Sequence, residues 1–263
     1  MVFFTDVFPW IYYMKDKIIT QIKNILQDCV SGAIQRTEDR LKNNKSHQPF
    51  HRALLPEQIV KISSFERSFS TSFGQGPVEK ISEILALNNG FEAKRQHEIM
   101  LNMYKGAVDE VERIGNALRE GNQKPNWGKE VKTISSFSLG DSVVRRVISD
   151  LWLKKDSVEY FISIKTVKPN LDQSEKAKKD MLFLKAANVN CKPIFALYYN
   201  PYGLVKSDYN HSIANKLFNM HIDECVMIGE EYWDFIGGKG TYKDLIKVFQ
   251  DVGVITKKKL LNV

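Results

Sequence analysis

The chain has 263 residues, 43% of them hydrophobic and 26% charged, so it can bury a substantial core and lacks the depleted hydrophobicity of a disordered polymer. Lys and Arg number 38 against 31 Asp and Glu, and the net charge of +7 favours a polyanionic partner. There is no apolar run long enough for a transmembrane helix, and three dispersed cysteines (Cys29, Cys191, Cys225) without a CxxC pair argue against a disulfide framework or structural zinc and for a reduced, cytoplasmic protein.

In chain order, Met1 to Tyr13 is apolar and aromatic but interrupted by Asp6 and Pro9. It lacks a basic leader and a small-residue cleavage site, and Met14 reads as a natural start preceded by an upstream extension. Ile18, Ile19, Ile22, Ile25, Leu26, Val30 and Ile34 fall at helical spacing between Lys15 and Leu41, predicting an amphipathic helix broken or bent near Gly32. A polar loop is expected from Lys42 to Gln48, then a helix from Leu55 to Phe69. A Ser/Gly/Gln-rich segment from Ser68 to Glu79 leads into a helix from Pro77 to Leu87, stopped by Asn88, Asn89 and Gly90. Glu92 to Arg119 reads as one long charged amphipathic helix, and Gly121 to Gly128 as a linker. The chain thus divides into a helix-rich region (1–130) and an α/β core (131–263), expected to form one structural unit.

Beyond Ile134 the period changes. Gly140 to Ser149 reads as a short helix or turn feeding two short strands around a polar turn, from Asp150 to Lys165. Strand alternation puts Glu159, Phe161, Ser163 and Lys165 on one face. An acid and a lysine joined at a hairpin are the minimal parts of a metal-dependent phosphodiesterase: the carboxylate holds a divalent cation, and the lysine positions water or neutralises charge developing on phosphate. Ser163 has no neighbouring base and is a spacer facing the site rather than a nucleophile. A helix from Asp172 to Ala187, a buried strand from Pro193 to Tyr199, a short helix from Asn210 to Phe218, a strand from Glu224 to Gly229 and a helix from Tyr242 to Asp251 follow. The fold class is α/β: a mixed central sheet flanked by helices, with a helix-rich N-terminal half.

The run from Gly140 to Asp150 offers a first acidic position, the run from Tyr160 to Lys165 a second strand, and Thr166 to Asn170 with Gln173 a polar exit into a helix. Over about Leu139 to Ile228 the chain resembles the PD-(D/E)xK nuclease superfamily, in particular type II restriction endonucleases. That resemblance implies Mg2+-dependent, sequence-specific cleavage of both strands of double-stranded DNA at a short G·C-rich palindrome such as GGNCC. A twofold target implies a homodimer. Asp150, Lys165 and Ser163 then stand in the catalytic positions.

One departure from the pattern concerns the acid usual two residues before the lysine, which is Ser163 here. In restriction enzymes with serine at that place an acid on the next helix takes over, which points to Glu175, with Glu159 as the same-face alternative. The segment Glu66 to Glu79 resembles the entry to a first core helix whose glutamate joins the metal site, adding Glu79 to Asp150. Arg145, Arg146 and Lys168 suit phosphate contacts, and Arg67, Asn170 and Gln173 suit base edges. A repair endonuclease with the same core, and a non-catalytic DNA-binding module with a degenerate core, remain open; the serine at 163 favours the second.

Overall fold

A computed structural model describes residues 14–42 and 49–261. The N-terminal extension, and the loop expected at 42–48 apart from its first residue, lie outside them. Helices α1 (Asp16–Lys42), α2 (Pro49–Leu54), α3 (Glu57–Gln75) and α4 (Pro77–Asn88) lead to strand β1 (Glu92–Tyr104). Helices α5 (Lys105–Glu120) and α6 (Trp127–Ile134) separate it from the hairpin β2 (Ser142–Lys155) and β3 (Val158–Lys165). Then come α7 (Leu171–Ala187), β4 (Lys192–Leu197), α8 (Ser212–Leu217), β5 (Val226–Ile228), α9 (Glu230–Gly237) and α10 (Thr241–Leu261). The strands form one mixed sheet in the order β1-β2-β3-β4-β5, antiparallel as far as β3 and parallel beyond it.

Several expectations need correction. Helix α1 runs unbroken through Gly32. The Ser-rich stretch after Ser68 belongs to α3; the Arg36 guanidinium of α1 donates to the Ser68 hydroxyl at 3.2 Å and to that of Ser72 at 2.5 Å, and the Ser72 hydroxyl donates in turn to the Ser68 carbonyl one turn back at 2.7 Å. The long helix read from Glu92 is a strand followed by a helix. After Gly90, exposed positions alternate with partly or fully buried ones along the whole of β1, a period of two. That strand's charges joined to those of α5 imitate one amphipathic helix. After a bend at Gly140, the stretch from Ser142 to Ser149 is likewise extended as the first part of β2. The linker ends at Asn126, whose side chain accepts the Lys129 N–H at 2.9 Å and caps α6. Helix α9 had no sequence reading.

The β2–β3 hairpin turns through Asp156 (φ 50°) and Ser157 (φ 65°) between the paired Lys155 and Val158. Left-handed φ at both central residues is what a two-residue type I′ turn requires, and its twist matches that of the strands.

Alternation along the central strands feeds two cores. Phe161, Phe195 and Leu197 pack with Val111, Ile114, Leu118, Trp127 and Met181 beneath α5, α6 and α7. Ile162, Ile164, Ile194 and Ala196 pack with Ile22, Leu26, Ile81, Leu85, Tyr232 and Leu245 from α1, α4, α9 and α10. The β1–β2 ribbon serves both. Ala93, Leu151 and Leu153 belong to the second core, whereas Ile99, Leu101, Met103 and Val147 belong to the first, although all are odd-numbered. Both strands therefore change face between these groups, at Gln96 (φ 49°) and Asp150, which fill a gap in the register of the two. Among the described residues, all three cysteines are free and buried, and no helix is long and apolar enough to cross a membrane.

Candidate active site

The change of face places Asp150 at the edge of a cavity of about 900 Å³. The β2–β3 ladder is registered from Lys155↔Val158 to Leu151↔Ile162; past it the strands part, and the Asp150 carboxylate takes the place of a backbone acceptor. Its Oδ2 accepts the Ile164 N–H at 2.7 Å and the Lys165 ammonium at 3.0 Å. Asp150 and Lys165 are both partly buried, at 24% and 21% side-chain exposure, where a charge without a partner would be costly. Ser163 lines the same cavity with Ile164 and Thr166.

Three carboxylates from three elements line this cavity. Glu79, in the first turn of α4, is buried and receives the Gln96 side-chain N–H at 3.0 Å. Burial raises its carboxyl above the ordinary range; the Gln96 hydrogen bond opposes this, and the Asp150 charge adds to it. Asp180, on α7, bonds Lys176 at 2.5 Å. Burial raises its carboxyl too, against the pull of Lys176, with Lys165 and Asp150 also felt. Asp150 therefore acts electrostatically on both other acids. Acids placed to repel one another in a half-buried cavity suit a divalent cation, which carboxylate oxygens bind well. With lysines bonded to Asp150 and Asp180, no three described His, Cys, Asp or Glu side chains converge tightly enough to hold an ion as they stand.

The expected residues are distributed unevenly. Asp150, Lys165, Ser163, Glu79, Arg146 and Gln173 all line the cavity. Glu175 does not: its carboxylate meets Arg119 at 2.5 Å and Lys179 at 2.6 Å. Although burial alone would raise it, those hydrogen bonds hold Glu175 below the ordinary range. Glu159 also lies outside the cavity lining and accepts the Trp152 indole N–H at 3.1 Å. Arg145 stacks over Phe183 at 4.6 Å and pairs with Glu112, while Arg146 pairs with Glu98 at 2.6 Å. Lys168 lies over the Tyr202 ring at 5.2 Å, and Arg67 lines a separate small pocket with Arg40 and His51. Asn170 and Gln173 form the capping box of α7, each accepting the other's backbone N–H.

Asp180 and Gln96 escaped the sequence reading. For Asp180 a signal existed: Gln173, Lys176, Ala177 and Asp180 repeat at i, i+3, i+4 and i+7, one face of a helix, and all four line the cavity. Glu175 is nearer to Lys165 in sequence but points off that face. Gln96 lay in a segment read as helix.

The family model described as "Type II restriction endonuclease, HinfI" matches residues 14–253. Type II restriction enzyme HgiCII of Herpetosiphon aurantiacus is 28% identical over 226 residues, covering 81% of this chain and 82% of the relative. HgiBI of the same organism is 26% identical over 258 residues, or 91% and 93% of the two chains. Type II restriction enzyme MjaII of Methanocaldococcus jannaschii is 24% identical over 241 residues, 81% of this chain and 63% of the relative. With the family model spanning nearly the whole chain, this protein belongs to the HinfI family of type II restriction endonucleases, nucleases that act on double-stranded DNA.

Proposed function

We propose that the chain hydrolyses phosphodiester bonds at a specific site in double-stranded DNA, with Mg2+ held by Asp150, Glu79 and Asp180. The observation that carries this reading is the meeting of three carboxylates and Lys165 in one cavity where β2 and β3 part. When bound, the cation supplies Lewis-acid stabilisation of charge on the phosphate and favours ionised water. Lys165 lies beside Asp150 and brings a positive charge to the attacked phosphate. Asp150 is fixed by the Ile164 N–H, which orients one oxygen and leaves Oδ1 for the cation. Ser163 keeps the cavity floor small and polar. Glu175 and Glu159, engaged elsewhere, are left out of the ligand set.

Arg146 and Gln173, both lining the cavity, are assigned to DNA contact there, with Lys168 and Asn170, which caps α7, assigned contacts outside the cavity. Arg67 and Arg145 are assigned peripheral contacts, since neither lines the cavity. Asp180 answers the lack of an acid at 163, and with it the main reason for reading the core as a non-catalytic DNA-binding module. A homodimer, one site per strand, suits a palindromic target, and GGNCC is the target class we assign.

The test is digestion of a sequenced genome with the purified protein in Mg2+ and in EDTA. Discrete fragments whose ends share one palindrome are expected in Mg2+ alone. A smear would point to a non-specific or repair nuclease, and intact DNA to binding only. Mapped ends decide GGNCC. Calcium-supported binding from about 50 to 200 mM salt should weaken steeply, by about 0.9 in the log–log slope per phosphate contact. One dimer per duplex is expected in sedimentation.

A further inference from the structure

Gln96 and Asp150 fill the gap in the β1–β2 register between the pairs Arg95↔Leu151 and His97↔Ser149. The φ of Gln96 is 49°, in the left-handed region, while the rest of β1 is an uninterrupted strand. The ribbon's change from one core to the other needs a backbone irregularity at this point. Glycine would provide it without steric cost, and asparagine or aspartate would tolerate it better than a long side chain does. A glutamine held in this conformation is strained, and such strain persists where the side chain is used. Here the side chain lines the cavity, and its Nε2 donates to Glu79 Oε2 at 3.0 Å.

We propose that Gln96 is a positioning residue, whose side-chain amide holds the Glu79 carboxylate across from Asp150 so that the two approach one cation together. This rests on the metal-site reading given above. The bulge supplies the direction: β1 enters with Ala93 against the second core and Arg95 bonded to Glu83 of α4 at 2.7 Å, and the left-handed turn aims the Gln96 amide at Glu79 of the same helix. One residue thus links the strand's change of face to the position of a carboxylate. Arg95 and Lys165 attract the Glu79 carboxylate at longer range, but the Gln96 amide is the hydrogen bond that sets its direction against the repulsion of Asp150. Partners of this kind, one bond removed from a metal, typically change metal affinity 10- to 100-fold when lost.

The experiment is a titration of the intact protein with Mn2+ alone, without DNA, following free ion by electron paramagnetic resonance, alongside thermal unfolding in EDTA. Gln96→Gly is expected to bind Mn2+ about tenfold more weakly, with an unfolding midpoint at or above the parent's because glycine relieves the left-handed backbone. Gln96→Asn suits the same backbone but ends one methylene short of Glu79, and is expected to weaken binding similarly. Asp150→Asn serves as the reference and is expected to lose binding more severely. Parent-like affinity in either folded Gln96 variant, with Asp150→Asn impaired, would overturn the role of Gln96 alone. Parent-like affinity in Asp150→Asn would overturn the metal site and this proposal together.

Discussion

Lys178 Nζ lies 2.5 Å from Glu130 Oε2, and the two side chains are 0% and 1% exposed. The ammonium also sits 5.0 Å from the Trp127 ring and 4.7 Å from that of Phe218, while the Asn126 N–H donates to Glu130 at 3.0 Å. The pair ties α6 to α7 on the side of α7 that faces away from Asp180. It thereby fixes the rotation with which α7 presents Lys176 and Asp180 to the cavity. Removing one partner leaves a buried charge uncompensated, so Lys178→Met or Glu130→Leu alone should cost about 3–5 kcal/mol in urea unfolding. The double replacement should recover most of that loss. A single variant as stable as the parent would contradict the pairing.

Asp150→Asn and Lys165→Ala should each lower the cleavage rate about 100-fold or more, with circular dichroism unchanged. Asparagine still offers an oxygen to the Ile164 N–H, which is why the fold should survive. Initial rates on a plasmid carrying one target site decide the matter. A rate near the parent's in either variant would remove that residue from the chemistry.

Asp180→Asn should be nearly as damaging as Asp150→Asn, whereas Glu175→Gln and Glu159→Gln should cleave at close to the parental rate. Glu175→Gln should still unfold more easily, because Arg119 and Lys179 lose their shared partner. That contribution has a pH signature. A carboxyl held below its ordinary range stabilises above the unfolded pKa and is lost as pH falls through the depressed folded value. Loss of cleavage in Glu175→Gln, with Asp180→Asn active, would reverse the assignment.

The cavity acids should destabilise the metal-free protein at neutral pH. Glu79 and Asp180 titrate above the ordinary carboxylate range, so between the unfolded and folded values the native chain binds more protons. Stability then falls as pH rises through that window, and the full penalty remains above it. In EDTA at neutral pH, Glu79→Gln and Asp180→Asn should raise the unfolding midpoint. The gain should vanish below the carboxylate range, where the parent's acids are already neutral. A lowered midpoint at neutral pH would mean that the bonds to Gln96 and Lys176 outweigh the cost of burying the two carboxylates.

The hairpin was legible in the sequence because its signals are local: β-branched and aromatic runs, a polar two-residue turn, and an acid and a lysine at its open end. The strands after α7 were legible for the same reason, as short apolar runs between turn residues. Strand β1 was not, since its period-two pattern carries charges on the exposed side and continues directly into α5, whose first residue is also charged. The missing acid was sought by proximity along the chain, which gave Glu175; proximity around the helix axis gives Asp180, the acid of α7 that lines the cavity. Gln96 could not be read at all, because nothing in one sequence marks a left-handed residue inside a strand.

Strands β1 and β2 pair along their length, yet the chain between them makes an excursion through two helices before returning. The stretch from Gly121 to Asn126 in that excursion is solvent-accessible and carries no strand pairing. A protease cutting there would divide the lining of the cavity without opening it. Glu79 and Gln96 would go with one fragment, and Asp150, Lys165 and Asp180 with the other, the two held together by the β1–β2 ladder and both cores. Expressed as two polypeptides, these pieces constitute a split enzyme whose DNA cleavage reports the docking of β1. Neither piece contains all the groups of the proposed site.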